Sequence, residues 1–86
     1  MRLKYTFETM ELDDQVIAVP VGEDAKEFQG VIKLNDSALE IFDLFRNETT
    51  EEEVVTALKS RYGDEPEISG FVHDMVEYLS RESVLA

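Results

Sequence analysis

His73 is the single histidine of the chain, and it stands four residues before Glu77 in a stretch of helical periodicity. An imidazole and a carboxylate at that spacing share one helix face, which falls short of the three or four converging ligands of a metal site. His73 therefore reads as a surface side chain. A nucleophile and its base would need a serine beside that histidine and a third group to orient it, and nothing marks one. There is no cysteine, so thiolate chemistry and disulfides are excluded, and no glycine-rich phosphate loop is present. The acidic run Glu51-Glu52-Glu53 follows Thr50, and Thr50 with Glu53 has capping-box spacing, with Thr49 and Glu52 as the competing register. Its charges oppose the positive end of a helix dipole, so the run marks a helix start rather than a metal site. The chemistry available favours binding over catalysis, and no cofactor is expected.

Asp36-Ser37 is the other candidate. Acidic chains of this size with Asp-Ser at a helix start resemble acyl carrier proteins, in which that serine bears a phosphopantetheine arm. Here the resemblance covers two residues and the charge. The usual next leucine is Ala38, and the N-terminal third is strand-like where a carrier would have an amphipathic helix. Helix-start polarity accounts for Asn35-Asp36-Ser37 equally well.

The elements that hold these residues divide at Asn35. Leu3, Tyr5 and Phe7 alternate with polar residues and predict a first strand, and Asp13-Asp14 predicts a turn. Val16 to Val21 is apolar on both faces, as in the central strand of a small sheet, with Pro20 ending regular pairing. Gly22 to Lys26 reads as a polar loop. A third strand is expected from about Glu27, with Phe28, Ile32 and Leu34 on one face and Gly30 in its interior. Asn35 caps a first helix over about Asp36–Arg46, and Leu34 with Leu39 takes the positions of a hydrophobic staple. A second helix carries Val54, Val55, Leu58 and Tyr62 and stops at Gly63. Pro66 starts a third, whose wide apolar stripe is Ile68, Phe71, Val72, Met75, Val76 and Leu79. Val84-Leu85 is expected to tuck against the bundle. The expectation is one α+β domain over 1–86, with strands within about 2–34 and helices within about 35–83. A three-stranded antiparallel sheet followed by three helices is winged helix-turn-helix-like.

Composition limits the partners. The 86 residues carry a formal charge of −12, and residues 35–86 hold most of it. Such a chain repels phosphate backbones and anionic membranes and suits neutral or basic peptides and proteins. A DNA-reading third helix would display arginine, lysine, asparagine or glutamine. From Glu67 to Glu82 this one displays Glu67, Asp74, Glu77 and Glu82 against Arg81 alone. Neither a signal sequence nor a membrane-spanning run is evident, which makes a soluble cytoplasmic protein the expectation.

Three stretches carry a family resemblance: Val16-Ile17-Ala18-Val19-Pro20-Val21-Gly22-Glu23, Gly30-Val31-Ile32-Lys33-Leu34-Asn35, and Thr49-Thr50-Glu51-Glu52. In that order they are similar to the PqqD-like family, founded on the small protein D of pyrroloquinoline quinone biosynthesis. The resemblance spans essentially the whole chain, through motifs that form the fold rather than perform chemistry. It implies a noncatalytic recognition element for the leader of a ribosomally made, post-translationally modified peptide. Such domains take the leader as an added strand beside the third strand, in a groove against the third helix. They present it to a modifying enzyme, often a radical S-adenosylmethionine enzyme that carries its own iron–sulfur clusters.

Carried onto this sequence, the resemblance implies a leader-pairing edge of Phe28, Gln29, Gly30, Val31, Ile32 and Lys33. Backbone groups there supply affinity, and side-chain pockets supply selectivity. Gly30 would permit close approach. Lys33 would either pair with an acidic leader residue or protect the edge from aggregation. Phe71, Met75 and Tyr78 would form the apolar wall, with Asp74 at the rim. The opposite flank, Val72 and Val76, is the alternative wall. An open edge also allows self-association by strand pairing.

Overall fold

The computed structural model describes residues 1–28 and 30–86. Strands β1 (Phe7–Leu12) and β2 (Gln15–Pro20) form a hairpin around Asp13-Asp14, with Asp13 at φ 56°. Aspartate tolerates this left-handed backbone better than most residues, which is why the turn was readable. Strand β3 (Ile32–Leu34) joins the other edge of β2, giving an antiparallel sheet of order β1-β2-β3. Val16 faces Leu34 across this ladder and Ala18 faces Ile32. All four turn their side chains into the core.

Helices α2 (Asp36–Leu44), α3 (Glu51–Tyr62) and α4 (Glu67–Arg81) follow without a second sheet. The sequence places their starts correctly because the caps are local. Asn35 Oδ1 accepts from the Ala38 amide at 2.7 Å, and Thr50 Oγ1 accepts from the Glu53 amide at 3.1 Å. Ile68, Val72, Met75 and Leu79 of α4 are buried, a single stripe at helical spacing. They join Phe42, Phe45, Val54 and the inner face of the sheet in one core. Phe42 meets Phe7 edge to face at 5.4 Å, which ties α2 to β1.

Three expectations need correction. The alternation from Leu3 to Phe7 does bury Leu3 and Phe7, but β1 begins only at Phe7. Leu3 instead bridges Leu85, and the Lys4 amide donates to the Val84 carbonyl at 2.8 Å. The N-terminal segment thus pairs with the C-terminal one. The loop expected over Gly22 to Lys26 contains a one-turn helix, α1 (Asp24–Glu27). Asp24 fixes it by accepting the Thr6 amide at 2.7 Å. Finally, the third strand begins at Ile32 rather than near Glu27. Phe28 turns inward to stack on Tyr5 at 5.9 Å and to meet Phe7 at 6.0 Å. Burying that ring takes the chain out of line with β2.

Candidate functional site: a groove beside the free edge of β3

Among the described residues, strand β3 pairs with β2 on one side only. In an antiparallel ladder, residues alternate between those bonded to the neighbour and those whose backbone groups point away. Lys33 is of the second kind. Its amide is turned from β2 toward α4 and donates to the Tyr78 hydroxyl at 3.4 Å. Its side chain is exposed, while Ile32 and Leu34 on either side are buried. The strand therefore offers backbone outward and holds its apolar side chains in the core.

Between the start of α2 and one face of α4, and reaching this edge through Tyr78, lies a cavity of about 360 Å³. Phe71, Asp74, Met75 and Tyr78 line it from α4, and Asn35, Ser37, Ala38 and Ile41 from the α2 side. Spacings of three and four residues put the α4 set on one helix face. Phe71 is 59% exposed, and Met75 is buried with its side chain still reaching the cavity wall. The alternative flank is spent on the core, since Val72 is fully buried, Val76 is half-buried, and neither lines the cavity.

The N-terminal half of the expected pairing edge behaves differently. Phe28 belongs to the aromatic cluster with Tyr5 and Phe7. Gln29 lies outside the described residues. Gly30 is exposed, and among the described residues a Cβ added there would meet the Phe28 ring, at 3.5 Å, an ordinary contact. Val31 is exposed and precedes the ladder. The strand edge itself is Ile32 to Leu34.

A second cavity, of about 460 Å³, continues the first and shares Ser37, Ile41 and Phe71 with it. Its remaining lining is Glu40, Leu58, Tyr62, Glu65, Glu67 and Ile68. Glu40 accepts from the Tyr62 hydroxyl and from Arg61 Nη1, the latter at 2.9 Å. The hydrogen bond from Tyr62, with help from Arg61, holds the Glu40 carboxyl below its ordinary range, and the same bond raises the Tyr62 phenol. Sequence reasoning assigned Ser37, Ala38 and Ile41 to a helix start and the core. Their place on the groove follows from the absence of any linker between β3 and α2, a signal present at Asn35.

His73 lines neither cavity. It sits between Glu51 Oε2 at 3.3 Å and Glu77 Oε1 at 2.9 Å, and these carboxylates, Glu51 foremost, raise its pKa. Among the described residues no group of three or more histidine, cysteine, aspartate or glutamate side chains could hold a metal ion. No helix among them is long and apolar enough to cross a membrane.

No curated protein matches this sequence. Among solved structures, the chain resembles TbiB1 in complex with the TbiA(beta) leader peptide. The TM-score is 0.68 at 19% identity, over 99% of this chain and 94% of that one. The family model described as coenzyme PQQ synthesis protein D matches residues 12–85. A three-stranded sheet followed by helices, with the matched segment running from the first strand to the last bridge, makes this chain a member of the PqqD family.

Proposed function

We propose that the domain captures the leader of a ribosomally made precursor peptide as a fourth strand on the free edge of β3. It does no chemistry on the peptide. It presents the precursor to a modifying enzyme, a radical S-adenosylmethionine enzyme with its own clusters, and works in the cytoplasm. The observation that carries this reading is the outward amide of Lys33 beside a cavity walled by Phe71, Met75 and Tyr78. Strand addition needs both parts: free backbone groups for affinity and a pocket for alternate side chains. Val31, Ile32 and Lys33 form the pairing segment, Gly30 its approach, and Asp74 a polar contact at the rim. The fold of the TbiB1 complex, which holds a leader peptide, supports the reading. The family description, which names coenzyme synthesis, agrees with a place in peptide-derived product formation.

The test is an amide-resolved NMR titration with the leader of the precursor encoded beside this protein's own coding sequence. Shifts are expected over Val31–Lys33 and Phe71–Tyr78. Lys33→Pro deletes the outward N–H while leaving the bonds of its neighbours to β2, a change that edge strands accept. Loss of binding in a variant with unchanged circular dichroism supports strand addition. Full binding by that variant removes it.

A further inference from the structure

The larger cavity has a composition that backbone pairing on β3 does not use. Its floor is Ile41, Leu58 and Ile68, all buried, and its flanks are Phe71 and Tyr62, which are 59% and 54% exposed. Two large aromatic groups held in water around an apolar floor are what an interaction site leaves uncovered. The charged groups in the lining are all carboxylates, Glu40, Glu65 and Glu67. Arg61 is committed to Glu40. Among the described residues no cation lies within salt-bridge distance of Glu65 or Glu67. The linings of the two cavities meet at Ser37, Ile41 and Phe71. The larger cavity is thus contiguous with the groove beside β3, on the side of Ser37 that follows Leu34 in the chain.

We infer that this cavity is a second subsite for the same leader, taking a large apolar residue with a neighbouring lysine or arginine from the stretch that overruns the C-terminal end of β3. The inference rests on leader capture by the β3 edge. The apolar residue covers Ile41, Leu58 and Ile68 between the two aromatic rings. A basic side chain lays its methylenes along the same surface and carries its charge to Glu65 and Glu67. The formal charge of −12 favours that sign of partner. The subsite makes selectivity for this leader a matter of residues outside the paired strand.

Methyl NMR separates the two claims, using the synthetic leader named above as probe. Ile32 and Met75 report on the β3 groove, and Leu58 and Ile68, which line the second cavity alone, report on that cavity. Shifts in both sets are expected. Shifts confined to Ile32 and Met75 would leave leader capture standing and overturn the second subsite. Silence in both sets would overturn leader capture and the subsite with it. The double change Glu65→Lys with Glu67→Lys is expected to weaken the leader about five- to tenfold at low salt, with the loss shrinking as salt rises. Both residues are exposed, so the fold should survive the change. The matched change Glu8→Lys with Glu11→Lys, at two exposed positions of β1, should have little effect. Equal losses in the two variants, or none in the first, would overturn the charged half of the subsite and the proposal with it.

Discussion

The Tyr78 hydroxyl sits on the one backbone amide, that of Lys33, which β3 turns toward the groove. The contact spans 45 positions of sequence and joins the sheet edge to α4. At 3.4 Å it is a long hydrogen bond and correspondingly weak. An incoming strand that uses this amide must displace the hydroxyl.

Tyr78→Phe should therefore tighten leader binding by roughly two- to fivefold, since it removes a competitor and keeps the ring. In the free protein the same variant should speed hydrogen exchange at Lys33 without changing it elsewhere in the sheet. Isothermal calorimetry and exchange NMR check the two effects independently. A weaker complex would mean that the hydroxyl contacts the leader itself.

Phe71→Ala should separate binding from stability. The ring is 59% exposed and lines both cavities, so its removal costs the fold little, within about 0.5 kcal/mol. Leader affinity should fall by at least about tenfold, as expected for an aromatic anchor. Urea unfolding beside a binding isotherm decides this.

His73 makes stability depend on pH. The Glu51 and Glu77 carboxylates raise its pKa in the folded chain, so protonation favours the fold. The contribution is fully present below the unfolded value of about 6.5 and is lost as pH rises through the higher folded value. His73→Gln should lower the urea midpoint on the acidic side of that window, while the carboxylates remain ionised. The difference should vanish above it. A shift of the His73 ring resonances with pH would report the same raised value directly. Because Glu51 opens α3 and His73 lies on α4, the pair couples those two helices.

Asn35→Ala and Thr50→Ala should each cost about 1 kcal/mol through loss of a helix cap. Asn35 should carry a second effect, because it lines the groove as well as capping α2. Leader affinity should change in Asn35→Ala and stay level in Thr50→Ala, measured on samples matched for folded fraction.

The caps were legible because a cap is written within four residues. Asn35, Thr50 and the Asp13-Asp14 turn were all readable on that scale. Pairing partners were not. The alternation at Leu3, Tyr5 and Phe7 records which side faces the core, and it is the same whether the segment joins β2 or bridges Leu85. Phe28 shows the same limit, since an apolar residue in phase with Ile32 and Leu34 looked like strand until its ring found Tyr5 and Phe7. The helix face toward the groove was legible as two flanks of one wide stripe. Choosing between Phe71 with Tyr78 and Val72 with Val76 required the position of α2, which the period of α4 does not contain.

The pairing of the two chain ends has a topological consequence. Arg2 and Ala86 exchange backbone hydrogen bonds, at 3.2 and 2.7 Å, so residues 2 and 86 lie side by side. Joining the ends through a short linker would leave the folded contacts as they are and restrict only the unfolded chain. New ends could then be opened at the exposed Asp13-Asp14 turn, which lines neither cavity. Such a circular permutant would carry the groove of the parent with its connectivity rewritten, and would separate what the order of the chain contributes to folding from what the groove contributes to binding.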